Sequence, residues 1–214
     1  MSQTGPPMPR VGDLALTVRQ PYADLEIAGI KPIENRTWPP PATLPQWGRC
    51  DACGARGLAL DLPCPVAQGT TGRRSHHIVW DGPFPFRLWI HAGRKRDTTH
   101  PMADWASLTK VEVGGQTRLA GDSPDRYGVL LGSVQVTGCH HADECAQGTT
   151  FTPNGRPVLR HEPRWCSPWA ELGVYHWTLA DPQPLDTPIA MRGRQRLWRI
   201  SADDLQVALA ERTG

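Results

Sequence analysis

Phenylalanine is scarce in this chain, three in 214 residues, and long apolar runs, a charge excess of either sign and internal repeats are all missing. Without a run of 18 apolar residues there is no candidate membrane-spanning helix, and the start MSQTGPPMPR lacks the basic-then-apolar layout of a secretory signal, so the expectation is a cytoplasmic protein with no membrane partner. A formal net charge of +2 neither demands nor excludes nucleic acid, because a small total can hide a basic stripe balanced by acids elsewhere. What is abundant is 22 prolines, 21 glycines and nine tryptophans, which argues against a helical bundle and for short strands joined by loops. In a reducing compartment six cysteines are read as metal ligands, packed thiols or reactive groups rather than a disulfide framework.

Residues 1–11 read as a disordered, Pro-rich start and 12–214 as a single domain. GDLALTV alternates Leu14, Leu16 and Val18 as a strand. RQPYADLEIAG then reads as a short helix, with Pro21 tolerated at its first turn and Gly29 as its stop, delivering Lys31 to Arg36 into a loop. Residues 39–86 lose periodicity and are rich in Pro, Gly and Cys, so they read as an insertion. Pattern returns in the strand RLWIHAG, the short helix PMADWASL and the strands YGVLLGSVQV, GVYHWTLA and QRLWRI. A last helix, SADDLQVALAERT, has Ser201 as N-cap and Asp203 and Asp204 in its first turn. The fold class is therefore α+β, and short strands in a chain of this size bury their faces best by curling into a small barrel.

Charge and soft-ligand clusters mark the candidate sites. In GIKPIENRTW, Lys31 and Arg36 offer donors for a phosphate or base and Glu34 can orient them; an exposed ion-pair loop is the plainer alternative. Arg19 and Gln20 precede the short helix and either reach the same cleft or, for Gln20, cap the helix. Trp38 can stack a base or fill a core, and the same choice holds for Ser167 and Trp169 in CSPWAELGVYHW. In MRGRQRLWRI, Arg192, Arg194 and Arg196 share one face if extended, suiting a phosphate backbone, or else they protect an edge strand. His91 reads as a packing residue. Cys50-x-x-Cys53, Cys64 and a histidine of His76/His77 form a sulfur/nitrogen set suited to a structural zinc ion, which would stabilise an insertion with no core of its own. Cys139, His140, His141, Cys145 and Cys166 form a second, less regular group.

The order of these stretches resembles an ASCH-domain protein of the PUA-like β-barrel group. The resemblance covers most of the chain outside the insertion and is most specific in LTVRQPYADLEIAGIKPIENRTW, similar to the family's opening strand, helix and G-x-K-x-x-E-x-R signature at Gly29, Lys31, Glu34 and Arg36. It implies a mixed barrel of five to six strands with short flanking helices, a cleft beside the signature and nucleic-acid-related roles. In some members it implies hydrolysis of RNA or of small acylated pyrimidine nucleosides. A threonine stands in those amidohydrolases where this chain has Glu34, so the hydroxyl nucleophile is missing and Thr37 lies off the motif. The preferred expectation is a module holding RNA or DNA, with a modified or extruded base in the cleft. The alternative is a hydrolase, a ribonuclease before an amidohydrolase, with Lys31 as polarising or base residue and Glu34 moving protons. A third expectation is a regulatory domain whose insertion contacts a protein partner.

Overall fold

The computed structural model describes residues 8–40, 48–50, 78–80, 84–98, 102–113, 115–146, 150–151, 157–158 and 165–213. In chain order the elements are β1 Leu14–Gln20, α1 Tyr22–Ile27, β2 Ile33–Arg36, β3 Gly48–Cys50, β4 Ile78–Trp80, β5 Phe86–Arg96, α2 Ala103–Leu108, β6 Lys110–Val113 and β7 Gln116–Leu119. They continue with β8 Val129–His141, α3 Ala142–Ala146, β9 Thr150–Phe151, β10 Pro157–Val158, β11 Tyr175–Ala190, β12 Leu197–Arg199 and α4 Ala202–Thr213. The fold is α+β, and the described residues form a mixed six-stranded sheet in the order β12-β1-β5-β8-β11-β2, three two-stranded sheets and a few short helices. Among the described residues the six-stranded sheet is not closed into a barrel, β12 and β2 standing at the two ends of the order.

The chain divides into two compact units, one of residues Met1–Pro32, Pro85–Thr137 and Leu179–Gly214, the other of Ile33–Phe84 and Gly138–Thr178. In the first, β1 lies parallel to β5 (Ala15↔Trp89 to Gln20↔Arg96) and antiparallel to β12 (Leu14↔Arg199), while β5 runs antiparallel to β8. The near-continuous apolar run Leu88–Ala92 fits a strand flanked on both edges and covered on both faces, and all five residues are buried. Ala15, Trp89, Leu130, Leu185, Ile189, Met191, Trp198 and Ile200 form the core cluster there. Helix α1 is buried along its whole length; Gln20 caps it, its Oε1 accepting from Asp24 N at 3.3 Å, and the turn at Gly29 follows with φ +72°. Helix α4 is opened by a reciprocal cap in which Asp204 N donates to Ser201 Oγ (3.2 Å) and Ser201 N donates to Asp204 Oδ2 (3.0 Å).

In the second unit β2 pairs antiparallel with the start of β11, from Tyr175↔Arg36 to Thr178↔Ile33, and β3 pairs with β4, β9 with β10. Four residues of the expected loop Lys31–Arg36 are thus strand. Pro32 disfavours a helical Lys31, and β11 supplies the backbone partners that local sequence does not announce. The β6–β7 hairpin was equally unannounced: its strands are four residues each, with Val111 buried, so its period-two signal is short.

Candidate functional site

The charges of GIKPIENRTW are paired, though not as its spacing suggests. In the first unit Lys31 Nζ donates to Glu26 Oε1 at 2.8 Å and lies 5.7 Å from the centroid of Tyr22; Lys31 is 4% and Glu26 1% exposed. Glu26 was not singled out from sequence because acids on a short helix are common, and its burial is a tertiary fact. In the second unit Glu34 Oε1 pairs with Arg36 Nη2 at 2.6 Å, Glu34 being nearly buried and Arg36 half-buried. Trp38 meets Trp177 edge to face with centroids 5.0 Å apart, and Trp177 Nε1 donates to the Trp38 carbonyl.

The remaining expected contacts are accounted for individually. Arg19 is exposed and reaches Asp97 at 3.8 Å, while Gln20 is fully buried with its Nε2 donating to the Arg126 carbonyl. Ser167 Oγ accepts from Trp169 N at 3.2 Å, so the serine turns the chain, and Trp169 is buried. The run is broken at Arg196, whose φ is 60°, and Arg194 forks onto Asp204 (2.8 and 3.1 Å) over the face of Trp198. The single-faced line of Arg192, Arg194 and Arg196 is therefore replaced by a capped corner leading into the edge strand β12. Of the zinc set expected in the insertion, Cys53, Cys64, His76 and His77 lie outside the described residues, and Cys50 is described only as the backbone end of β3.

A different set of soft ligands comes together in the second unit. One ligand atom each from His140, Cys145, Cys166 and His176 lies within 4.8 Å of every other, a cluster that can hold a metal ion. His140 Nε2 is 2.9 Å from Cys145 Sγ, and His176 Nδ1 is 3.3 Å from both Cys145 Sγ and Cys166 Sγ. The two imidazoles are edge to face, centroids 5.2 Å apart. Each ligand comes from a separate piece of backbone: the end of β8, α3, the 165–171 segment and the start of β11. Neither a protein-family model nor a curated protein sequence matches this chain. Its chemistry is therefore read from these groups alone.

The tautomer of His176 is set by its surroundings. Nε2 lies 2.8 Å from the Glu171 carbonyl, which can only accept, so Nε2 carries the proton and Nδ1 turns its lone pair to the two sulfurs. Burial lowers the pKa of His140, helped by the neighbouring His176, which favours the neutral ligand form. Burial likewise pushes the Cys166 thiol up to about 11, with hydrogen bonding to Cys145 adding to it; a bound cation would reverse that preference. Sequence grouping had placed Cys139 and His141 with this set. Strand alternation removes them: His140 faces the cluster, Cys139 is held as a thiol with its pKa pushed up to about 12 by burial and then by Glu144, and His141 turns to Asp143 at 3.1 Å.

Proposed function

We propose that this chain is a nucleic-acid-binding module of the ASCH type, holding RNA or DNA through Arg36 as oriented by Glu34, with a structural zinc ion in the unit that carries β2. The observation that supports it most is the burial of paired charge at the signature, Lys31 with Glu26 and Glu34 with Arg36. Buried ion pairs contribute little net stability because desolvation offsets their attraction, so several at one signature suit positioning better than folding. An arginine already oriented by a carboxylate loses little freedom when it contacts a phosphate or a base edge. Trp38, fixed by Trp177, adds an aromatic face. Glu34 being committed to Arg36 favours binding over hydrolysis.

In the same reading the mixed sheet belongs to the PUA-like group, whose expected architecture is a small barrel. Two thiolates and two imidazoles suit borderline-soft zinc better than calcium or magnesium, which take oxygen ligands. The test is binding of labelled single- and double-stranded RNA and DNA, with a panel of modified nucleosides, by the purified chain. Affinity for at least one class, weakened by Arg36→Ala in a folded protein, is the expected result. No affinity for any of them would sink the functional reading.

A further inference from the structure

The four soft ligands sit in a framework that the side chain of Asn35 ties to the charged signature. Asn35 and His176 are directly opposed partners on β2 and β11, so their side chains share a face of the sheet. Both reach the segment that bears Cys166. His176 Nε2 holds the Glu171 carbonyl, while Asn35 Nδ2 donates to the Trp169 carbonyl at 2.8 Å and to Glu171 Oε1 at 2.7 Å. Within that segment Trp169 N donates to Ser167 Oγ and Ala170 N to the Ser167 carbonyl at 3.1 Å, a tight turn that begins one residue after Cys166. On the other side Ala142 N donates to the Val174 carbonyl at 2.9 Å, tying the start of α3, and with it Cys145, to the entry of β11.

We infer that His140 Nε2, Cys145 Sγ, Cys166 Sγ and His176 Nδ1 form a closed four-coordinate zinc clip, and that Asn35 is its positioning residue, so that ion occupancy also holds the strand bearing Glu34 and Arg36. The inference rests on the zinc reading above and adds the ligand atoms, the closed coordination and the link to β2. Four protein ligands fill the tetrahedral shell, leaving no place for a water or substrate, which makes the ion structural. A ligating histidine whose second nitrogen donates to a backbone carbonyl is the usual outer-shell arrangement for zinc, and His176 has it before any ion is considered. Asn35 then acts one step further out, fixing both the carbonyl-bearing segment and the approach of Cys166. Its own Oδ1 is buried without a hydrogen-bond partner among the described residues, so the amide serves here through its two donated bonds.

The experiment uses the full chain. Metal content is measured after purification without chelator, cobalt is substituted for zinc to read its visible ligand-field bands, and affinity is measured by competition with a chelator. One equivalent of zinc and the spectrum of tetrahedral cobalt with two thiolates are expected, both lost in Cys166→Ser and His176→Gln. Asn35→Ala should keep all four ligands and bind zinc about 10- to 100-fold more weakly, the usual effect of losing an outer-shell partner, with Asn35→Gln restoring part of the affinity. Glu171→Ala, which removes one Asn35 acceptor without touching β2, should reproduce part of the loss. Chelation should weaken nucleic-acid binding by the parent chain. Absence of metal and of cobalt bands would overturn the site together with the zinc reading. Zinc bound equally well by parent and Asn35→Ala would leave zinc standing and overturn the role of Asn35. Intact zinc results in a chain that binds no nucleic acid would remove the functional reading and the link through β2, and leave the clip.

Discussion

Asp24 and Arg126 meet through Oδ1 and Nε at 2.7 Å with their side chains 0% and 1% exposed, a charge pair with no access to water. Asp24 Oδ2 also accepts from Gly121 N, and Gln20 bridges the two residues, its Oε1 taking Asp24 N and its Nε2 giving to the Arg126 carbonyl. Removing one partner strands the other. Arg126→Met should destabilise the chain by about 3 to 5 kcal/mol, the cost of an uncompensated buried charge. Asp24→Leu combined with Arg126→Met should recover part of it. Urea denaturation of the two variants checks the difference, and equal losses would show that Asp24 finds another partner.

Gly193 touches a histidine that has no room to yield. A methyl group there would land on the ring of His91 and come within 2.9 Å of Thr17 Oγ1, while His91 is 2% exposed and held by the Met191 carbonyl at 2.9 Å. Gly193→Ala should cost about 1 to 3 kcal/mol as overpacking. Because the clash lies with one ring, His91→Ala should make the second substitution much less harmful, so the double-mutant cycle gives a coupling of roughly 0.5 to 3 kcal/mol. Additive losses would place the strain in the backbone instead.

The cap of α4 should titrate. Burial alone would raise the Asp204 carboxyl, but hydrogen bonds from Arg194 and Ser201 outweigh it and bring it down from 3.8 to about 2. A folded-state value below the unfolded one means stability that is fully present above the unfolded value and lost as pH falls through the folded one. The loss should run from about pH 5 down to pH 2, amounting to about 1 kcal/mol after allowance for the exposed Arg194 partner. Thermal melts of parent and Asp204→Asn across that window should converge at the acid end.

His91 adds a second acid-sensitive group at higher pH. Burial is the largest cause lowering its pKa below 6.5, so the unfolded chain takes up a proton that the folded chain resists, and stability should fall as pH drops below about 6.5. His91→Gln should flatten that part of the melting profile, and an unchanged profile would remove His91 as its source.

Glu34→Gln separates binding from turnover at the signature. In a binding module affinity should largely persist, because size and hydrogen-bonding capacity survive; in a hydrolase, turnover should fall by about 10²- to 10⁴-fold with binding intact. Lys31→Ala should act through stability by stranding the buried Glu26, whereas Arg36→Ala should weaken polymer binding, and loss of its phosphate contact should flatten the salt dependence by roughly one unit. Isotherms at three salt concentrations are sufficient to read it.

The strands that could be read from sequence are those whose signal is local. Leu14, Leu16 and Val18 alternate, Leu88–Ala92 is a buried run, and Ser201 with Asp204 three residues on carries its own cap. Strand β2 could not be read so, because Ile33–Arg36 becomes a strand through residues 175–178, far along the chain. Three of the four soft ligands were legible, since His140, Cys145 and Cys166 stood in one group, but His176 was grouped with the aromatic strand around Trp177. Ten residues separate Cys166 from His176, and only the pairing of β11 with β2 turns that imidazole inward. Asn35 and Glu171 carried no signal at all, since Asn35 works by donating to the Trp169 carbonyl and to the Glu171 carboxylate.

The pairing of β1 with β12 sets an order in time. Leu14 is opposite Arg199, and β1 forms its other edge with β5 in parallel, so of the six strands in this sheet the earliest in sequence is completed by the latest. During synthesis at about 5 to 20 residues per second, one edge of β1 stays without its backbone partner until Leu197–Arg199 have emerged. The unit holding β1 therefore gains its closing strand late, and contacts this distant in sequence slow folding. A nascent chain stalled before Leu197 would carry an open edge at β1, which makes it a substrate for chaperones that hold exposed strands.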